Sequence, residues 1–499
     1  MSYKYSRSSG VLLPVTMLSG PFGIGVLGKE SRSFIDFLAE CNFRAWQVLP
    51  VESTGYCFSP YKCVSAFAGE PMLIDPRMLA EIGLISEAEL SDRCLDMQDD
   101  YVDYEQVRKK QWELLHVAYS MADKKFYSGF KKTWLDDYAL YMALKQRYDN
   151  AAWFCWPDKA LRSFDADAIK KARTELECEI EFYKFVQFLF DMQWRQLKDY
   201  ANARNISIIG DMPIYVSEDS VEVWSRQELF DADENGNFAA IGGCPPDYFN
   251  PEGQLWGNPI YNWNLMKDEG YSWWVNRLSA AIERYDIVRL DHFRAFESYW
   301  RIPADAKTAA AGKWAQGPGM AIFKALTDVI GTLPVFAEDL GVIDDKVEAL
   351  LERTGYRGLR VMQFAYKEND YHLPHNYTRQ TVAYTGTHDN TTLFAWHQEL
   401  DDETRAWALD YVGFDGDWTQ GGPNCALNKA WIRCLYMSGA SLVIFPIQDM
   451  LGYGADTRTN IPGTSEGNWK FRIRPNALEQ IDTEFYKALA QTSFRDGLS

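Results

Sequence analysis

Positive charge is in short supply in this 499-residue chain: 51 Lys and Arg against 70 Asp and Glu leave a formal charge of −19. A surface of that sign repels phosphate backbones and anionic lipid, which argues against nucleic acid and membrane surfaces as partners and favours a neutral substrate. Long apolar runs are missing too, and nothing approaches the roughly 20 residues of a membrane-spanning helix. One early stretch imitates a leader: Lys4 and Arg7 precede Val11-Leu12-Leu13-Pro14-Val15-Thr16-Met17-Leu18. Pro14 and Thr16 break it and no small-x-small site follows, so a strand of the mature protein is the better reading. Histidine is scarce, at six, and His372 and His375 have no thiols beside them. No EF-hand-like loop occurs either, so no metal and no cofactor are expected. The nine cysteines are odd in number and include no Cys-x-x-Cys pair, which fits a reducing compartment and a cytoplasmic protein.

Aromatics are what the chain has in plenty: 18 Trp, 28 Tyr and 28 Phe make 15% of it. Trp46, Trp273 and Trp274 read as core. Tyr56, Tyr61, Tyr248, Phe249, Trp256 and Trp469 instead sit in Gly/Pro-rich stretches, where flat amphipathic rings suit the apolar faces of sugars.

Strand and helix patterns alternate. Residues 10–18 and 46–50 read as strands flanking a helix over 31–41, the opening of a parallel α/β fold. Residues 206–213, 287–290, 334–337, 359–364, 382–387 and 441–446 supply six further strands. Eight strands alternating with helices predict a (β/α)₈ barrel, in which catalytic residues come from the C-terminal strand ends. The boundaries expected are 1–69 for the first two strands, 70–170 for a helical insertion and 171–213 for the third strand. A loop-rich insertion near the site follows at 214–270, and 271–499 holds the last five strands. The 292–318 stretch is read as one more long loop. Only about 50 residues follow the eighth strand, which leaves no room for a C-terminal β-sandwich domain.

Three of these strands end in charge. In Ile287-Val288-Arg289-Leu290-Asp291, strand alternation puts Arg289 and Asp291 on one side. The cation favours the ionised acid, as a nucleophile or cation stabiliser requires, although a structural ion pair has the same signature. Pro334-Val335-Phe336-Ala337-Glu338-Asp339 ends in two carboxylates that alternation sends to opposite faces; burial would keep one protonated, and the pattern does not say which enters the site. Val382 to Asn390 ends in His388-Asp389. Several carboxylates, a neutral substrate and loop aromatics point to glycosidic bond chemistry, which pairs an ionised with a protonated acid.

These stretches resemble the α-amylase clan, and smaller features resemble one branch of it, the amylomaltases or 4-α-glucanotransferases of glycoside hydrolase family 77. They include Gly23-Ile24-Gly25, Trp46-Gln47-Val48-Leu49-Pro50, Ser59-Pro60-Tyr61, Gly210-Asp211, Pro245-Pro246-Asp247-Tyr248-Phe249 and Trp256-Gly257-Asn258-Pro259. Ala337-Glu338-Asp339-Leu340-Gly341, Gly386-Thr387-His388-Asp389-Asn390 and Asn460-Ile461-Pro462-Gly463-Thr464 complete the series, which runs from about residue 10 to 475. The resemblance implies a retaining transfer of α-1,4-glucan segments from a maltooligosaccharide or starch-type donor to a glucose or maltooligosaccharide acceptor. It implies Asp291 as nucleophile, Glu338 as acid and base, and Asp389 as the group holding the 2- and 3-hydroxyls. Arg289 and His388 would support the subsite beside the cut. Tyr61, Asp211, Asp247 and Trp256 would be glucan contacts, and Asn460 and Pro462 rim contacts; for Asp211 and Asp247 the alternative reading is an Asp that organises its own turn. The alternative, an α-1,4-glucan hydrolase, uses the same acids and differs in the acceptor. A non-catalytic glucan binder would keep the aromatics and lose the acids. Cys244 and Lys470-Phe471-Arg472 depart from the family pattern.

Overall fold

A computed structural model of the chain describes residues 7–55, 57–95, 100–233, 235–246, 251–365, 370–464 and 466–496. Its strands are β1 (Ser8–Leu12), β2 (Ala45–Gln47), β3 (Ser207–Met212), β4 (Ala240–Cys244), β5 (Gln254–Pro259) and β6 (Ile287–Leu290). They continue as β7 (Ser298–Pro303), β8 (Lys313–Gln316), β9 (Val335–Ala337), β10 (Gly358–Val361), β11 (Thr381–Tyr384) and β12 (Leu442–Pro446). Eight of them pair in parallel in the order β10-β11-β12-β1-β2-β3-β6-β9. A single parallel bridge, Phe336 to Arg357, joins the two ends of that row and makes it a barrel. The predicted (β/α)₈ fold is the one formed, and after β12 the described residues form helices and turns with no further named strand.

The barrel's layers follow from alternation. Leu12, Ala45, Ile209, Phe336, Leu359, Val361, Val382, Tyr384, Leu442 and Ile444 form one buried cluster, while the neighbours on the other face join a larger core beneath the helices. Trp46, Trp273 and Trp274 lie in that larger core, as expected. The seam between β9 and β10 has a side-chain closure as well. The Asp339 carboxylate accepts the Leu359 N–H at 2.5 Å and Arg360 Nη1 at 2.8 Å. Gly358 makes the room, since a Cβ there would stand 2.6 Å from Asp339 Oδ2.

Between β2 and β3 the chain is helical, with long helices at Tyr104–Met121, Leu135–Arg147 and Glu177–Asn202. The last, about 39 Å long at 1.5 Å per residue, packs against β3 and against the helix Lys29–Glu40 that links β1 to β2.

Several elements differ from the sequence reading. The first strand stops at Leu12, because Pro14 has no N–H to give a ladder and the chain turns into a 3₁₀ helix at Val15–Met17. The sixth barrel strand stops at Val361, where Met362–Phe364 is again 3₁₀. Residues 292–318 are not a loop: they contain β7 and β8, which extend β4 and β5 into a four-stranded antiparallel sheet, β5-β4-β7-β8. Ala-Ile-Gly-Gly-Cys, the sequence of β4, is too glycine-rich to read as a strand alone, and its partner β7 lies more than 50 residues ahead.

Candidate active site

Arg289 is the hub on one side of the rim. Register pairs Asp211 of β3 with Arg289 of β6, and the guanidinium reaches both Asp211 oxygens at 2.7 and 2.8 Å and Asp291 Oδ1 at 2.7 Å. Arg289 and Asp291 lie on the same side, as alternation requires. Asp211 is only 1% exposed and both its oxygens are occupied. It is a buried counter-ion on a strand rather than a surface on which a sugar could lie. Its second partner is Tyr61, whose hydroxyl donates to Asp211 Oδ2 at 2.7 Å. That leaves the Tyr61 oxygen to accept from His388 Nε2, 2.9 Å away. Burial and the neighbouring Asp211 hold the phenol pKa high, so it keeps its proton for this chain of bonds.

Asp291 follows the last residue of β6, and its side chain remains a quarter exposed at the mouth of the barrel. Burial pushes its pKa up to about 6, with Arg289 pulling the other way; at neutral pH it is a carboxylate. Glu338 follows β9 and is more deeply buried. Its oxygens accept the His292 N–H at 2.7 Å and the Leu340 N–H at 2.9 Å. Burial outweighs these donors and Arg289, and lifts its pKa to about 8, with the nearby Asp291 adding to the rise. Two carboxyls on one rim are thereby driven to opposite protonation states at pH 7. Asp339 faces away into the β9–β10 seam, so Glu338 is the member of that pair that enters the site.

Asp389 stands on the loop after β11, 44% exposed. Its Oδ1 accepts Asn460 Nδ2 at 2.6 Å, its backbone oxygen accepts Arg458 Nη2 at 2.5 Å, and His388 Nε2 lies 3.4 Å from its Oδ2. Trp469 lies against both the Tyr61 and His388 rings, at 5.6 and 6.0 Å between centroids. Trp256 meets the His292 ring edge-on at 4.9 Å, and Lys62 holds its carbonyl at 2.8 Å. Asp291, Asp389, Arg289, His388, Tyr61, Asp211 and Asn460 are thus tied by direct bonds or shared partners around one mouth, and Glu338 joins them through the N–H of His292, the residue after Asp291. Pro462 is exposed two residues beyond Asn460. Asp247 lies outside the described residues.

The family described as 4-alpha-glucanotransferase, glycoside hydrolase family 77, matches residues 13–478. The chain belongs to that family. A 4-alpha-glucanotransferase of Thermus thermophilus is 42% identical over 98% of this chain and 99% of its own length. One from Streptococcus pneumoniae is 41% identical over 95% of this chain and 94% of its own. Among solved structures, the amylomaltase of Streptococcus agalactiae in complex with acarbose has a TM-score of 0.93 at 38% identity, covering 98% of this chain and 99% of that one. The relatives bear out the transferase expectation over the hydrolase alternative.

Three site residues of this glucanotransferase-family chain escaped the sequence reading. His292 supplies the N–H that holds Glu338, and burial lowers its ring to a pKa of about 3, so it is neutral. Its place beside Asp291 was the available signal. Arg458 lies two residues before Asn460, just ahead of the Asn460–Thr464 motif. Lys62 follows Tyr61 and acts through a partner 194 residues away, which no local pattern reveals.

Proposed function

We propose that the chain transfers α-1,4-glucan segments by a retaining double displacement in which Asp291, Glu338 and Asp389 do the work. The observation that carries this reading is the unequal setting of two carboxyls at the ends of adjoining strands: Asp291 bonded to Arg289 and a quarter exposed, and Glu338 more deeply buried, so that Glu338 holds its proton to higher pH. In the first step the Asp291 carboxylate attacks the anomeric carbon while Glu338 gives its proton to the departing glycosidic oxygen, which leaves as the 4-hydroxyl of the released fragment. In the second, Glu338, now a carboxylate, takes the proton of an incoming 4-hydroxyl as that oxygen attacks the same carbon and displaces Asp291. Two inversions retain the α configuration. Asp389 accepts hydrogen bonds from the donor sugar's 2- and 3-hydroxyls as positive charge develops on the ring. Arg289 keeps Asp291 aligned and lowers the cost of its charge; His388 stands against the same sugar. Tyr61, Trp256 and Trp469 offer ring faces to glucose units on either side of the cut.

Donor and acceptor are uncharged maltooligosaccharides, glucose among the acceptors, consistent with the chain's negative charge. Starch- or glycogen-type glucans supply the donor. None of the nine cysteines is joined in a disulfide, which fits the cytoplasm as the compartment, and among the described residues no helix is long and apolar enough to cross a membrane.

Maltotriose alone tests the reaction. Glucose together with a ladder of longer maltooligosaccharides is the expected product set. Shorter sugars only, with reducing ends rising, would make water the acceptor and overturn transfer.

A further inference from the structure

Behind the rim, two adjacent polar residues are almost fully buried: Gln448 and Asp449, 3% and 1% exposed, on the one-turn helix Ile447–Leu451 that follows β12. They face different segments. Gln448 Nε2 donates to the Thr457 carbonyl at 3.1 Å and to Thr459 Oγ1 at 3.0 Å. It thereby holds the strap, entered from the 3₁₀ turn Ala455–Thr457, from which Arg458 and Asn460 reach Asp389. Asp449 Oδ2 accepts Thr385 Oγ1 at 2.5 Å and its Oδ1 accepts the Leu393 N–H at 2.7 Å. Those two anchors are the ends of the loop that carries His388 and Asp389. Thr392 Oγ1 adds a third tie, to the Tyr453 carbonyl at 2.8 Å, and Asn428 Nδ2 fixes the Asp449 backbone oxygen at 2.8 Å.

Asp449 is an expensive way to hold a loop. No ion pair from Lys or Arg to it is found among the described residues, and burial raises its pKa to about 7. A carboxyl kept in such a place must return something in geometry. We propose that Gln448 and Asp449 are positioning residues for Asp389: from one short helix they fix the two segments that converge on that carboxylate. The inference rests on Asp389 touching the donor sugar, as argued above. A catalytic group misplaced by a fraction of an ångström loses rate rather than ground-state affinity, because the contact tightens as the transition state forms.

The test uses the full chain with maltotriose. Gln448→Met keeps the volume and removes both bonds to the strap; Thr385→Val keeps the volume and removes the hydroxyl bond between the loop and Asp449. Each is expected to lower kcat about tenfold, leave KM within about twofold, and leave Asp389 the dominant partner in a double-mutant cycle. Asp449→Asn, whose amide can still accept from Leu393 and donate to Thr385, is expected to recover most of what Asp449→Ala loses. Combined with Asp389→Asn, the Gln448→Met change should cost nothing further. A tenfold loss persisting in that background overturns the brace and leaves the role of Asp389 standing. Unchanged kcat in Gln448→Met and Thr385→Val also overturns it. Full activity of Asp389→Asn would instead bring down the Asp389 reading, and the brace with it.

Discussion

The β3–β6–β9 side of the rim and the β11–β12 side hold their carboxylates by different means. On the first side Asp211, Arg289, Asp291 and Glu338 are charged or titratable groups packed on adjoining strands, and Arg289 has two acids within 2.8 Å. On the second, Asp389 stands on a loop, nearly half exposed, fixed by the neutral amide of Asn460 and by a contact to its backbone oxygen. Ladder-mounted charges are desolvated together, so they shift one another's protonation; loop-mounted charge stays wet and depends on hydrogen-bonded geometry. In the proposed mechanism the first arrangement serves bond making and proton transfer. The second, in the same proposal, holds a carboxylate against the sugar ring by a hydrogen bond from a neutral amide and another to its backbone oxygen.

The comparison can be broken first where the effect is greatest. Asp291→Asn should cut kcat on maltotriose by on the order of 10⁴-fold or more while glucan binding, measured by calorimetry, survives. Equal loss of binding would mean that the ladder side positions substrate and does no chemistry. Next, Arg289→Met leaves Asp211 buried without its cation and should cost roughly 3–5 kcal/mol in urea unfolding. Asn460→Ala, on the loop side, should cost under about 1.5 kcal/mol and show mainly in kcat. Similar stability losses for the two would erase the distinction.

The pH profile of kcat/KM sharpens it. Asp291 must be ionised, so activity should fall as pH drops through about 6; Glu338 must be protonated, so it should fall as pH rises through about 8. Glu338→Asn or Gln variants should lose the alkaline limb. The smallest effect is on stability. A carboxyl whose folded pKa lies above its ordinary value adds stability at low pH and loses it as pH rises through the folded pKa. Glu338→Gln should therefore gain on the parent protein between pH 5 and 9, by roughly 1–3 kcal/mol at the upper end. Chemical unfolding at those two pH values reads the sign directly.

Much of the ladder side was legible because strand alternation is a strict rule. It put Arg289 and Asp291 together and sent Glu338 and Asp339 apart, and the apolar runs before them marked burial. It could not say which acid of that pair faced inward, since that depends on the β9–β10 register. Asp211 as a counter-ion was hidden for a similar reason: its partner lies 78 residues on. The loop side was legible only as motifs. Asn460 and His388 could be named, but Arg458, Gln448 and Asp449 act across the fold by a few hydrogen bonds that leave no periodic trace. The antiparallel sheet went unread because β4 owes its strand conformation to β5 and β7 rather than to its own glycines.

The joint between β9 and β10 differs in kind from the other seven in the ring. Peptide carbonyls carry the others, and no physiological pH alters a peptide carbonyl. Here one backbone bridge is supplemented by the Asp339 carboxylate, whose pKa burial holds above its ordinary value. Because folding raises that pKa, the carboxyl binds a proton more readily in the closed ring than in the open chain, so acid should favour the closed joint rather than open it. The Leu359 amide owes its shelter to a side chain, and in Asp339→Leu it should exchange with deuterium before the amides of the remaining strands.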